Sequence, residues 1–218
     1  MCAWRTLCFF ERDLTGPVPA FQARIPVEAR LASLEDLERF RDTFARAGAR
    51  WEEIEARRGR GDLCFIGVAD ALLVHFMWLT LAPAWLPAIG VTVRVEPGEG
   101  VVYSSYTDPA VRGRAIQPAV ANFMIAHEKA LGLVRHFYYV LRDNYAGARI
   151  TSAAHAGQAA MLGRTVTCWS VAGLPGIILT GLDAPGRPRL DLPAGAPARS
   201  LGRGRVWLPA RPFDPSLF

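Results

Sequence analysis

Tyr103-Ser104-Ser105-Tyr106-Thr107-Asp108-Pro109-Ala110-Val111-Arg112-Gly113-Arg114-Ala115-Ile116-Gln117 passes from a strand pattern through a turn into a helix, and that order decides how the rest of the chain is read. Val101, Val102, Tyr103 and Tyr106 supply the β-branched and aromatic residues of a strand, and Asp108-Pro109 breaks it. Arg112 to Gln117 then lead into an apolar helical run that Pro118 opens. The turn is thereby placed at a helix N-terminus, where backbone N–H groups without intrahelical partners and the helix dipole favour negative charge. Arg112 and Arg114 add donors suited to phosphate oxygens. A helix terminus contributes only about 0.3 to 2 kcal/mol toward an anion, and each hydrogen bond to a charged group roughly 1.5 to 3 kcal/mol, so a pyrophosphate needs several such donors together.

On these residues the chain resembles the GNAT superfamily of acyl-CoA-dependent acyltransferases. The family signature is Arg or Gln, two residues, Gly, one residue, then Gly or Ala. Arg112 stands at the first position, Ala115 replaces the usual Gly at the fourth, and Gln117 replaces the small residue at the sixth. Thr107, Pro109, Gly113, Arg114 and Ile116 also fall where the family carries a strand end, a Pro and an Arg-Gly-Arg-x-Ile turn. An Arg-rich surface turn that merely caps a helix is the alternative.

Outward from this turn, the pattern gives a first strand over Trp4 to Phe10 and a second over Arg24 to Leu31, with Ile25, Val27, Ala29 and Leu31 on one face. Ser33 and Asp36 have capping-box spacing, and Leu34, Leu37, Phe40 and Phe44 continue a helical period. A short helix over Trp51 to Arg58 ends in Gly59-Arg60-Gly61, and strands 63–68 and 72–81 form a hairpin. Strands are expected at 91–95 and 100–107, a helix from Pro118 to Leu131 closed by Gly132, and a strand from Val134 to Leu141. Asn144 to Met161 reads as mostly helical and Thr165 to Val171 as a strand, with short strands at 177–179 and 206–208. The fold class is α/β of the α+β kind, a central, mostly antiparallel sheet flanked by helices. In the resembled fold two parallel strands, here 100–107 and 134–141, splay beside the phosphate turn. The organisation expected is an N-terminal strand extension (1–23), a GNAT-like domain (24–173) and a Pro/Gly/Arg-rich extension (174–218).

With 218 residues and 51% hydrophobic composition the chain can bury a substantial core. The formal charge is +5, but all except one of the 25 basic residues are Arg, the exception being Lys129, and they are scattered rather than striped, so no nucleic-acid partner is expected. Cys2, Cys8, Cys64 and Cys168 make no CxxC pair and read as reduced thiols of a cytoplasmic protein. His127-Glu128 has Leu131 where a second His would complete a zincin motif, and no metal is expected. Residues 71–93 contain no Asp, Glu, Lys or Arg, yet Pro83, Pro87 and Gly90 interrupt the run; it reads as buried strand plus loop with an apolar lip at Trp85-Leu86, not a membrane span. The charged N-terminus lacks an apolar secretory segment.

The resemblance implies acetyl-CoA as co-substrate, direct acyl transfer to a small-molecule or peptide amine, and cofactor contacts from Tyr106, Thr107, Arg112, Gly113, Arg114, Ala115, Ile116, Gln117 and Asn144. Asn144 reads equally as a helix cap. Transfer to an amine needs a neutral nucleophile, and with a Lys-like pKa near about 10.4 only about one amine in a few thousand is neutral at pH 7. A backbone N–H at a strand bulge near Tyr106 would serve the tetrahedral intermediate. Where many members carry a Tyr beyond the Asn, this chain has Thr151, Ser152 and His155. The general base stays open among His75, Glu96, Glu99, Tyr103 and Asp108, so the catalytic residue is unassigned. Two alternatives stay open as well: a non-catalytic acyl-CoA-binding or protein-interaction module, and a transferase of the same fold using acyl carrier protein or aminoacyl-tRNA. The acceptor and the oligomeric state are not set by the sequence, a homodimer being one open state.

Overall fold

The computed structural model describes residues 2–18, 20–86 and 91–141, and the strand backbone of 159–171, 174–180, 190–191, 199–201 and 204–207. In chain order the elements are β1 (Cys2–Asp13), β2 (Glu28–Leu31), α1 (Leu34–Arg39), α2 (Arg41–Arg46), α3 (Trp51–Gly59), β3 (Leu63–Ala69), β4 (Leu72–Thr80), β5 (Ala84–Leu86), β6 (Val91–Val93), β7 (Glu99–Thr107), a 3-10 turn (Pro109–Val111), α4 (Ile116–Ala130), β8 (Arg135–Leu141), β9 (Ala159–Val171), β10 (Leu174–Thr180), β11 (Leu190–Asp191), β12 (Arg199–Leu201) and β13 (Gly204–Trp207). They fall into two compact units, one of Asp13–Ala82 and Pro97–His136, the other of Met1–Arg12, Pro83–Glu96 and Phe137–Phe218.

In the first unit β2, β3, β4 and β7 form an antiparallel sheet in that order. Successive side chains of a strand point to opposite faces, and both faces here are covered. Cys64, Ile66 and Val68 of β3 meet Leu37, Phe40, Phe44 and Ile54 of α1 to α3. Phe65 and Ala69 meet Ile116, Val120, Ala121 and Met124 of α4. Double burial explains why β3 and β4 read as continuous apolar runs, and why the charge-free stretch that includes β4 is a central strand. Gly67 lets α4 approach: a Cβ there would lie 2.8 Å from Val120 Cγ2.

Ser33 and Asp36 form the expected capping box. The helix expected through Phe44 breaks at Phe40, whose backbone (φ −99°, ψ 16°) ends α1 and starts α2. Strand β2 is shorter than the pattern over 24–31 indicates, because the Arg24 N–H is given to the Arg114 carbonyl at 2.8 Å rather than to a ladder. Gly132 (φ 80°) closes α4 as expected: its N–H bonds Lys129 O and the Leu133 N–H bonds Glu128 O, both at 3.0 Å.

In the second unit the strand order is β12-β13-β10-β9-β1-β8, and β5, β6 and β11 form a separate three-stranded sheet. β1 pairs with β9 from Cys2↔Val171 to Arg12↔Ala159. That long pairing draws residues 159–161, expected to end a helix, into β9; the rest of the expected helix lies outside the described residues. β10 pairs with β9 across the boundary expected at 173. Strand β6, read as continuing to Val95, stops at Val93 and pairs with β5. The lip residue Trp85 lies on β5 and is 56% exposed. Among the described residues no helix is long and apolar enough to cross a membrane.

Candidate anion-binding site

The site is built where β7 hands over to α4, entirely within the first unit. The Asp108 N–H bonds Val74 O at 2.9 Å, tying the strand end to β4, and Asp108 Oδ1 accepts from the Ala110 N–H at 2.9 Å, capping the 3-10 turn. Arg112 Nε donates to Thr107 O at 3.1 Å, so the arginine folds back over the end of β7. The chain then reverses through two left-handed residues, Gly113 (φ 78°) and Ala115 (φ 57°). The Arg24–Arg114 hydrogen bond pins the reversal from outside. As a result the N–H groups of Gly113, Arg114, Ala115, Ile116 and Gln117 donate to nothing among the described residues. Five backbone donors without a partner among the described residues, at the start of a 15-residue helix and flanked by two exposed guanidinium side chains, are arranged as an anion would need them.

Ala115 is the N-cap of α4 and makes no side-chain cap bond. A left-handed L-residue costs about 1–2 kcal/mol, which glycine avoids, and this is the physical reason a glycine suits the position. Ala115→Gly is expected to raise stability by about 0.5–1 kcal/mol after the extra unfolded-state entropy of glycine is subtracted; urea unfolding checks it, and a loss of stability would contradict the strain.

Of the expected contact residues, Tyr106, Thr107 and Arg112 to Gln117 are brought together by this strand end, turn and helix start. Tyr106 is half-buried and stacks on Phe76 at 5.5 Å. Ile116 is 2% exposed, so only its backbone faces the turn. Gln117 is half-buried. Asn144, with Thr151, Ser152 and His155, lies outside the described residues.

The bulge expected near Tyr106 is present. Phe76 pairs with Tyr106 and Trp78 with Tyr103, so Ser104 and Ser105 together oppose Met77, and Ser104 is left-handed (φ 50°). Arg57 of α3 braces it: Nη1 donates to Ser104 Oγ at 3.0 Å, and the guanidinium lies 5.3 Å from the Trp78 ring centroid and 5.1 Å from that of Tyr103. The Tyr103 hydroxyl donates to Asp62 Oδ2 at 2.6 Å, and Arg60 Nη2 donates to the same oxygen at 2.7 Å. Asp62 Oδ1 is buried without a partner among the described residues. Burial, then the bond to Asp62, pushes the Tyr103 phenol above its ordinary range.

The other candidate bases are committed elsewhere or set apart. Glu99 is buried with Arg135 Nε 3.7 Å away. Asp108 serves the 3-10 turn, and Glu96 is half-buried after β6. His75 is fully buried, with Nδ1 2.8 Å from Thr107 Oγ1. Burial lowers its pKa to about 3, against an ordinary value of 6.5. The unfolded chain takes up this proton at a higher pH than the folded one, so the contribution of neutral His75 is complete above about pH 6.5 and is lost as pH falls toward 3. The stability gap between the protein and His75→Gln is therefore expected to narrow by about 1 kcal/mol per pH unit between pH 6 and 4, measured by thermal unfolding across that range.

Sequence reading missed Asp62 and Arg57. Asp62 lies 41 residues from Tyr103 and Arg57 lies 47 from Ser104. The only local signal was the turn Gly59-Arg60-Gly61, which delivers Asp62 to the start of β3.

No family model matches the chain, and no curated protein sequence does. Solved structures do. A GCN5-related N-acetyltransferase from Sphaerobacter thermophilus superposes with a TM-score of 0.54 at 16% identity, over 76% of this chain and 51% of its own. A GNAT-family protein from Novosphingobium aromaticivorans gives 0.49 at 17% over 76% and 63%, and a GNAT-family acetyltransferase from Colwellia psychrerythraea 0.49 at 15% over 73% and 53%. The chain thus spans between about half and two thirds of the length of these neighbours. With the Sphaerobacter superposition, a sheet sandwiched between helices, and a bulged strand leading through a donor-lined turn into a helix, the chain has the GNAT fold.

Proposed function

We propose that this protein is an acyl-CoA-dependent N-acyltransferase that moves an acetyl group from acetyl-CoA directly to a primary amine on a small molecule or peptide. The observation that carries the reading is the set of five backbone N–H groups, without partners among the described residues, beside Arg112 and Arg114 at the start of α4. Each bond such a donor makes to a charged oxygen contributes roughly 1.5 to 3 kcal/mol, and several together suffice for a pyrophosphate. In this reading Thr107 and Tyr106 border the pantetheine arm, and a backbone N–H of the Ser104–Ser105 bulge faces the thioester carbonyl, where it stabilises the developing oxyanion. Thiol release from acetyl-CoA across a panel of primary amines tests it. Release that requires both protein and amine is the expected result; CoA binding without release for any amine would leave a binding module of the same fold.

A further inference from the structure

We propose that Tyr103 and Asp62 form the proton relay that neutralises the acceptor amine, Tyr103 touching the amine and Asp62 taking the proton. The inference rests on the acyl-transfer reading above and assigns the base that reading leaves open. Tyr103 immediately precedes the left-handed Ser104 of the bulge, on the face of the sheet covered by α1 to α3. Its hydroxyl hydrogen is directed at Asp62 Oδ2 at 2.6 Å and Arg60 also donates toward the phenol oxygen, which keeps one lone pair to accept from a further donor. The Asp62 side chain is 1% exposed and its Oδ1 has no partner among the described residues, so the carboxylate keeps an acceptor for use in a site closed to water. An unfilled acceptor on a buried carboxylate is costly unless something uses it. The phenol itself stays protonated, because burial and the bond to Asp62 both disfavour the phenolate. Tyr103 therefore works by receiving one proton as it gives up another. Arg57 over its ring and Arg60 at Asp62 hold the pair in place.

In the balanced step, the ammonium form of the acceptor gives a proton to the Tyr103 oxygen while the Tyr103 proton passes to Asp62. The neutral nitrogen attacks the thioester carbon and the C–N bond forms. On collapse the C–S bond breaks, the second nitrogen proton neutralises the departing thiolate, and CoA leaves as the thiol. After the products leave, the proton returns from Asp62 through Tyr103 to water that enters the acceptor site. One ammonium and one thioester yield one amide, one thiol and one proton.

The test compares two nucleophiles with acetyl-CoA at pH 7: a primary alkylamine, which is almost entirely protonated, and hydroxylamine, which is already neutral. Tyr103→Phe keeps the ring beneath Arg57 and removes only the hydroxyl. It is expected to lower the rate with the alkylamine by about a hundredfold or more and to leave the rate with hydroxylamine within about threefold, with CoA affinity unchanged. Asp62→Asn, which still accepts from Tyr103 but is a poor proton acceptor, is expected to show the same split. Equal losses with both nucleophiles, or no loss with either, would overturn the relay while leaving acyl transfer intact. Absence of transfer to both nucleophiles by the unmodified protein would overturn the relay together with the reading it rests on.

Discussion

His136→Ala is expected to lower the unfolding free energy by about 3 kcal/mol, the cost of leaving a buried polar side chain without its hydrogen-bond partner together with the cavity the ring vacates. Glu128, on α4, has a side chain with 0% exposure and His136, at the start of β8, one with 3%. The imidazole Nδ1 lies 2.9 Å from Glu128 Oε1 and 2.8 Å from Oε2. Removing the ring leaves a carboxylate in a site water does not reach. A paired replacement, Glu128→Met with His136→Leu, removes both polar groups and is expected to recover most of the loss. Urea unfolding of the unmodified protein and the two variants checks this. A loss below about 1 kcal/mol for His136→Ala would mean that the carboxylate finds solvent or another donor.

Arg112→Ala is expected to weaken CoA binding by about ten- to a hundredfold, the equivalent of one lost hydrogen bond to a charged group. Binding of pantetheine, which lacks the phosphates, is expected to change by less than about threefold. The contrast matters because Arg112 has two roles in the turn: its Nε holds Thr107 O at 3.1 Å, and its remaining N–H groups are available to an anion. Equal losses for both ligands would leave only the first role. The two affinities, measured by calorimetry on the same variant, separate these roles.

How legible the fold was depended on how local each signal is. β3 and β4 could be read because burial on both faces forces continuous apolar runs, and α1 because Ser33 and Asp36 satisfy each other's backbone within one turn. Gly132 marked the end of α4 because a left-handed residue is needed there. The start of α4 was read two residues late: Pro118 lacks an N–H and is tolerated anywhere in a first turn, so it marks the turn and not its first residue. The left-handed Ala115 was invisible, since alanine carries no preference for that conformation. The bulge on β7 was anticipated, but its brace was not: the Arg57–Ser104 and Asp62–Tyr103 bonds join residues more than 40 positions apart, and nothing in either segment alone specifies the other. The extra strand β5 lay hidden in a run whose apolar character read as loop and lip.

In the proposed function the donors between Arg112 and Gln117 hold the pyrophosphate of an acyl-CoA. Calorimetric titration of the unmodified protein with CoA tests it most directly. Saturable binding is expected, with a ligand-dependent stabilisation of about 2.7 kcal/mol at a hundredfold excess over Kd, and markedly weaker binding of pantetheine. No detectable heat of binding and no thermal shift at millimolar CoA would contradict it.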